Sequence, residues 1–421
     1  MAMMQFLKKA CSSQKSISDY VNTTVSLIVN RIREEGWKAV EEYALAIDSY
    51  KGAFRVSQNE MDEALQQLSL TTVKALKRAI CNVRTFHQRQ KKMFEPFFCS
   101  IEEGVTAGLR FLPVERTAVY VPAGRYPLPS TAIMGVVPAQ EAGVSEIVLL
   151  SPPTKEGKIA SVIAATASLL GVSEVWTLGG AHGIAAMAMG AGPIRKVDMI
   201  VGPGNAYVTE AKRILFGEVG IDGLAGPSEV LIIADDSANP AWLAADIAAQ
   251  SEHDPMAAST LLCTDEKIAA QTSNELSILL ETLETAETIR RAWEVNGTLA
   301  ICSLEEAINE SNVRAPEHLQ LCVRAPEKVL DKCMAYGAAF IGSTTPVPFG
   351  DYIGGTNHTL PTNRRARFAG GLWTGTFLRP LTSLCIDSKG AASLAEDGIN
   401  LAQMEGLKAH SLAMALRRNL S

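Results

Sequence analysis

Thr117-Ala118-Val119-Tyr120-Val121 departs from the pattern of everything before it. Upstream, residues 25–47 and 61–93 carry apolar side chains at three- and four-residue steps with Glu, Lys and Gln between them, the period of helices with one buried face. At Thr117 that period gives way to a short continuous apolar run, which suits a strand covered on both sides. Further runs follow at 146–150, 174–178 and 196–201, separated by alanine-rich helical stretches at 130–143, 158–171 and 183–190. A second series at 229–234, 260–263, 298–302 and 338–341 again has helical sequence between its members. The alternation predicts an α/β protein of two doubly wound, incomplete Rossmann-like parallel sheets, with a helical N-terminal and a small C-terminal extension.

Composition bounds the partners. Of 421 residues, 47% are hydrophobic and 20% charged, which fits a well-cored protein of two or three domains. A formal net charge of -6 argues against nucleic acid or an anionic membrane as main partner, because both attract clustered Lys and Arg. Residues 1–11 hold Lys8 and Lys9 but no apolar stretch of signal-peptide length, and no 18-residue apolar run follows. The expectation is a cytoplasmic protein acting on small molecules. Eight cysteines, at 11, 81, 99, 263, 302, 322, 333 and 385, form no C-x-x-C pair and lie in no glycine-rich or histidine-paired setting. A cysteine nucleophile is therefore not expected, and any aldehyde chemistry proceeds without a thiohemiacetal.

No G-x-G-x-x-G occurs. In its place Gly202-Pro203-Gly204-Asn205 lies between an apolar strand and a helix over 208–216, where glycines let a ligand approach and the helix start offers N–H groups to an anion. A turn with no ligand, capped by Asn205, fits the same residues. Gly179-Gly180-Ala181-His182 is a second such turn.

Four of the six histidines stand near an acid or amide: Gln250 with His253, Glu317 with His318, Asp351 with His358, Glu405 with His410. A metal ligand needs its second ring nitrogen oriented, and a catalytic base needs its proton taken up. Gln250 and His253 stand about one turn apart at a helix end, before Asp254-Pro255 stops it. With Asp351 and His410 they would give a nitrogen and oxygen donor set suited to zinc. Glu317 and His318 are adjacent, so on an extended segment they face different parts of one substrate; a surface glutamate beside a half-buried histidine fits the spacing as well.

Tyr120-Val121-Pro122-Ala123-Gly124, the segments 127–131 and 201–212, Ala225-Gly226-Pro227-Ser228-Glu229-Val230, 250–255, 315–319, 355–361 and 405–410 together resemble histidinol dehydrogenases, in that family's order, over roughly residues 15 to 415. The resemblance implies a homodimer with sites shared between subunits. It implies an N-terminal arm over 1–15, a larger discontinuous α/β domain from 16–116 and 228–372, an inserted NAD-binding domain over 117–227, and a C-terminal extension over 373–421 that reaches the site across the dimer. Carried over by position, Gln250, His253, Asp351 and His410 become the ligands of one zinc ion per subunit, and Glu317 and His318 the acid/base pair. Ser228, Gln250, His253, His318, Asp351, Glu405 and His410 would contact the substrate, with His358 nearby, while Tyr120, His182 and Asn205 would hold NAD. The implied reaction oxidises a primary alcohol through a retained aldehyde to a carboxylate, reducing two NAD.

Three departures from the family's pattern stand out, the first at a position expected to touch NAD and the last bearing on the substrate. His182 stands where a glutamine is usual, and Ile221-Asp222-Gly223-Leu224 where methionine and proline are common. The segment 367–375, with Gly370-Gly371 and Trp373, is more similar to paralogues such as sulfopropanediol dehydrogenases. Arg125, Arg314, Arg364 and Arg365 could then form a fork for a sulfonate. Two alternatives stand beside L-histidinol oxidation: a paralogue oxidising 2,3-dihydroxypropane-1-sulfonate, and a non-catalytic NAD- or metal-binding homologue, against which the intact acid/base pair speaks.

Overall fold

The computed structural model describes residues 4–11, 19–123 and 126–418. Two six-stranded sheets dominate it, and they share one topology. In the first, the order is Arg55–Val56, Glu174–Thr177, Glu146–Ser151, Arg116–Tyr120, Met199–Val201, Gly220–Ile221; in the second it is Gln5–Lys8, Thr298–Ile301, Ala258–Cys263, Glu229–Ala234, His318–Cys322, Ala338–Ile341. Numbering the parallel strands of each sheet in chain order gives 3-2-1-4-5 both times, with an antiparallel strand added beside strand 3. This is the doubly wound order, in which the chain reverses direction across the sheet between strands 1 and 4.

Both central strands are buried along their length because helices cover both faces. Val230, Leu231, Ile232, Ile233 and Ala234 are each at most 3% exposed, and Ala118, Val119 and Tyr120 at most 4%. Each large apolar side chain so buried contributes about 1.5–3 kcal/mol. The expected strands and helices of both series are present within a few residues of their predicted bounds.

The grouping of the first hundred residues differs from expectation. Helices Asp19–Glu35 and Trp37–Asp48 pack through Val25, Ile28, Val29 and Val40 onto one face of the first sheet, and Gln58–Gln67 and Leu70–Lys91 cover the other through Met61, Ile80 and Val83. Their apolar stripes thus complete the sheet expected to stand as an inserted unit, rather than the second sheet.

Strand His318–Cys322 was not among the expected strands, although it pairs with both Glu229–Ala234 and Ala338–Ile341. Its sequence alternates His318, Gln320 and Cys322 with leucines, and all five residues are buried. An antiparallel sheet of Phe97–Glu102, Val105–Pro113 and Leu378–Ile386 was also unexpected. It leads into helices Ser388–Met404 and Lys408–Ala415, which pack on each other. Among the described residues, no helix is long and apolar enough to cross a membrane.

Candidate active site between the two sheets

Glu317 and His318 stand at the amino edge of the second sheet, where strands 1 and 4 begin side by side, with Val230 opposite His318. The Glu317 carbonyl accepts from Ala338 N at 2.9 Å, which fixes its backbone between strands. Its carboxylate oxygen Oε2 accepts from Ser228 Oγ at 2.7 Å and from Glu229 N at 2.9 Å. Burial raises its pKa above the usual range, opposed mainly by His318 and those two donors.

His318 Nδ1 lies 3.0 Å from the Glu229 carbonyl and 3.5 Å from Glu317 Oε2. A carbonyl only accepts, so this bond places the proton on Nδ1 and leaves Nε2 with a lone pair. That Nε2 is buried, has no hydrogen-bond partner among the described residues, and lies 3.9 Å from Asp351 Oδ1.

Asp351 ends the short helix Val347–Tyr352, and the loop after it joins the two sheets. Its His358 donates through Nδ1 to the Asp351 carbonyl at 2.9 Å, with Nε2 3.5 Å from Thr131 Oγ1. Asn357 Nδ2 donates to the Met134 carbonyl at 2.7 Å; both Thr131 and Met134 belong to the helix that follows strand 1 of the first sheet. At the loop's far end Thr362 Oγ1 accepts from Gly226 N at 2.6 Å and Asn363 N donates to Glu229 Oε1 at 3.0 Å. The amino edge of the second sheet thereby faces the carboxyl edge of the first. Burial, above all, lowers the pKa of His358 from its ordinary value, and both Asp351 and His253 act on it.

The carboxyl edge of the first sheet carries the residues expected to hold NAD. Tyr120 ends strand 1; its hydroxyl accepts from Gly180 N at 3.4 Å, and burial pushes its pKa up to about 12. Asn205 caps the helix Ala206–Leu215 by accepting from Tyr207 N and Val208 N at 3.0 and 3.1 Å. Gly202, at φ +109°, passes so close to strand 1 that an added Cβ would sit 2.2 Å from the Tyr120 carbonyl oxygen. Asp222 accepts from Gly202 N at 2.7 Å and pairs with buried Lys212, which also donates to the Gly202 carbonyl, so the turn is locked from beneath. His182 is fully buried one turn into its helix, its Nε2 3.2 Å from Asp48 Oδ2.

Of the expected metal donors, Gln250 is buried near the end of helix Pro240–Ser251 with its Nε2 unpartnered, while His253 is exposed just beyond it. His410 and Glu405 are exposed on the C-terminal helical pair. Among the described residues no three of His, Cys, Asp or Glu come close enough to hold a metal ion, so one chain does not gather His253, Asp351 and His410. By residue type alone the expected donors fit zinc: the Gln250 amide oxygen, the His253 and His410 imidazoles and the Asp351 carboxylate offer nitrogen and oxygen without sulfur.

Sequence reasoning did not single out Glu229, although it stands in the Ala225–Val230 segment. Its backbone binds both Glu317 and His318, the expected acid/base pair, and its carboxyl group is pushed up to about 7, first by burial and then by the charge of Glu317. The arginines considered for an anion are partly engaged. Arg314 donates to Glu310 at 2.7 Å and Thr260 at 2.9 Å, Arg365 donates to the Leu224 carbonyl, Arg364 is exposed, and Arg125 lies outside the described residues. The divergent segment 367–375 runs from Arg367, which donates to the Asn312 carbonyl at 3.0 Å, to the layer of helix Leu70–Lys91. The Trp373 ring lies 5.2 Å from Phe94, Thr374 bonds His87 and Gln90, and a Cβ on Gly375 would strike Trp373 at 2.4 Å.

Comparison with known proteins gives one consistent result. The family model described as histidinol dehydrogenase matches residues 11–418. The histidinol dehydrogenase of Caulobacter vibrioides is 40% identical over 400 residues, covering 94% of this chain and 92% of that one. The enzyme of that name from Methanocaldococcus jannaschii is 40% identical over 415 residues, covering 98% and 96%. The crystal structure of histidinol dehydrogenase from Elizabethkingia anophelis superposes with a TM-score of 0.91 at 36% identity, covering 97% of this chain and 94% of that chain.

Proposed function

The chain belongs to the histidinol dehydrogenase family, a family of oxidoreductases, and from that premise we propose that it oxidises L-histidinol through the aldehyde to L-histidine with two NAD and one zinc ion per subunit. The observation that carries the reading is the buried, unpartnered Nε2 of His318, whose other nitrogen is tied to the Glu229 carbonyl. An imidazole so held is a base with its lone pair already aimed, and near neutral pH it can accept the proton of an alcohol.

NAD bound at the facing carboxyl edge, through Tyr120, Asn205 and the Gly179–His182 turn, supplies the hydride acceptor for both oxidations. In the first, His318 Nε2 takes the hydroxyl proton as the carbon loses hydride, leaving the aldehyde. Glu317 then accepts a proton from water through the oxygen not engaged by Ser228 and Glu229, the hydroxide adds to the aldehyde carbon, and His318 returns its proton to the aldehyde oxygen to give the hydrate. His318 then takes a proton from the hydrate as the second hydride leaves, and the acid so formed ionises to the carboxylate. Oriented by Ser228 and Glu229, the Glu317 carboxylate keeps one oxygen free for that water. Gln250, His253 and Asp351 of one subunit with His410 of the partner subunit would hold zinc, which supplies a fixed positive centre for the substrate's amino and ring nitrogens. Glu405 of the partner subunit would meet the amino group.

A homodimer is supported by the surface that a single chain leaves uncovered. Phe97, Phe98, Ile101 and Leu384 on the three-stranded sheet are 52–74% exposed, and Leu401, Met404, Leu412 and Leu416 on the helical pair 58–84%. Monomers rarely expose apolar side chains on this scale. The sulfonate reading loses its main motive, because segment 367–375 is packed against the helical layer and Arg314 and Arg365 are engaged.

The test is NADH formed per alcohol consumed by zinc-loaded protein, with L-histidinol and 2,3-dihydroxypropane-1-sulfonate offered separately and limiting. Two NADH per histidinol is expected. A twofold yield from the sulfonate alone would overturn the substrate, and silence with both would overturn the reaction.

A further inference from the structure

Glu229 is a largely enclosed carboxyl group beside the proposed acid/base pair to which the mechanism gives no task. Its backbone contacts, Glu229 N to Glu317 and the Glu229 carbonyl to His318, belong to any residue at this position. Its side chain is different. It turns from the second sheet toward the loop after Asp351 and accepts from Asn363 N at 3.0 Å, next to the bond between Gly226 N and Thr362 Oγ1. A carboxyl group here is costly, since burial and the neighbouring Glu317 both oppose its charge. An apolar residue would avoid that cost but could not bind the Asn363 amide, which would be left unsatisfied. The loop so held is the one that carries His358 against Asp351 at one sheet and Asn357 against Met134 at the other.

We propose that the Glu229 side chain is a positioning residue: by fastening Asn363 it holds the 351–363 loop against the amino edge of the second sheet, and so sets Asp351 and His358 in place opposite His318. The charged and titratable groups around it are Glu317 and His318 on the sheet edge and Arg314 on the helix before it; Asn363 contributes only its amide. The effect is geometric, so a glutamine, whose amide oxygen can accept the same bond, preserves it and an alanine does not. This inference rests on the proposed dehydrogenase reading for its kinetic consequence but not for the tie itself.

The experiment compares E229A and E229Q with the unaltered full-length protein in two ways. Hydrogen–deuterium exchange of the peptide spanning 355–365 reads the tie without any turnover, and steady-state kinetics with L-histidinol reads its use. In E229A, exchange of that peptide is expected to rise at least tenfold. kcat is expected to fall about 10- to 100-fold with KM changed less than about threefold, as expected when reacting groups lose alignment rather than ground-state binding. E229Q is expected to recover most of both. Unchanged exchange in E229A overturns the tie, and unchanged kcat with faster exchange overturns its positioning role. Failure of E229Q to rescue also overturns the proposal, since the bond rather than the charge is held responsible. If E229A does not fold, E229Q still decides: a loss in it as large as a general-base deletion would overturn the geometric account. Silence of the unaltered protein with histidinol would instead reject the substrate, while the exchange result still stands.

Discussion

The two sheets have the same strand order and use opposite ends. At the amino edge of the first sheet, buried Arg116 pairs with Glu146 and Glu174, and Arg195 joins Glu146 from outside, so the beginnings of strands 1, 2 and 3 are closed by charge pairs. Its carboxyl edge holds the Gly179 and Gly202 turns and the start of two helices. In the second sheet the carboxyl edge is the closed one. Asp235 bridges strands 1 and 4 there, accepting from Arg324 N at 2.9 Å while its own N–H donates to Cys322 O at 3.3 Å, and Asp236 pairs with Arg324. Its amino edge holds Ser228, Glu229, Glu317 and His318. Under the proposed function, the rule that doubly wound sheets bind ligands beyond their carboxyl ends holds for one half only. Fold and topology do not locate a site; the side chains that each edge carries do. In the proposed reaction, the alcohol at the open edge of the second sheet would meet NAD at the open edge of the first.

Altering one edge at a time tests the contrast. His318→Asn should strike the open edge of the second sheet hardest: kcat is expected to fall about 10³-fold, about 4 kcal/mol, for both alcohol and aldehyde, because the base is lost. Bound zinc by elemental analysis and the melting temperature should hold, and retained turnover with either substrate would remove His318 from its role.

Arg116→Met attacks the closed edge of the first sheet and should do the reverse. Leaving Glu174 half-buried and unpaired is expected to cost about 3 kcal/mol in urea unfolding, with KM for NAD little changed in the folded fraction. A large change in KM without loss of stability would mean that this edge is functional.

Glu229→Gln should alter how stability depends on pH. Between the ordinary glutamate value of 4.5 and about 7, the folded protein keeps Glu229 protonated while the unfolded chain does not, so stability falls as pH rises through that window. The unaltered protein should therefore lose about 2 kcal/mol more than E229Q between pH 5 and pH 8, an order-of-magnitude figure from the shift. Parallel curves for the two proteins would show that the carboxyl is not held protonated.

The smallest effect is expected at the first sheet's open edge. Asn205→Ala removes the helix cap and should cost about 1 kcal/mol of stability. If Asn205 also meets NAD, KM for NAD rises several-fold while kcat at saturation changes little. No change in KM would leave it a cap alone.

Much of this was legible from the chain. Apolar runs such as 229–234 announce a strand covered on both faces because water must be excluded from every side chain, and the alternation with helices then leaves few topologies. His318–Cys322 escaped that logic because His318 and Gln320 are polar yet buried. Gln320 donates through Nε2 to Asp246 at 2.6 Å, a partner 74 residues away that no local pattern announces. The long strands 97–102 and 378–386 escaped because most of their side chains are exposed, so no burial pattern marks them.

The sequence by itself determined most of the helices and strands of the two parallel series, His318–Cys322 being an exception, together with the family and the chemical vocabulary of the site, since periodicity and residue type are local properties. It could place Glu317 beside His318, but not decide that the imidazole's free nitrogen faces inward. Only the tertiary structure decided that, by setting the Glu229 carbonyl 3.0 Å from Nδ1. It also decided that the first four long helices serve the first sheet, and that His253, Asp351 and His410 do not gather in a single chain. Such choices depend on which surfaces distant segments bury against each other, and the free energy of that burial is not written at any one position.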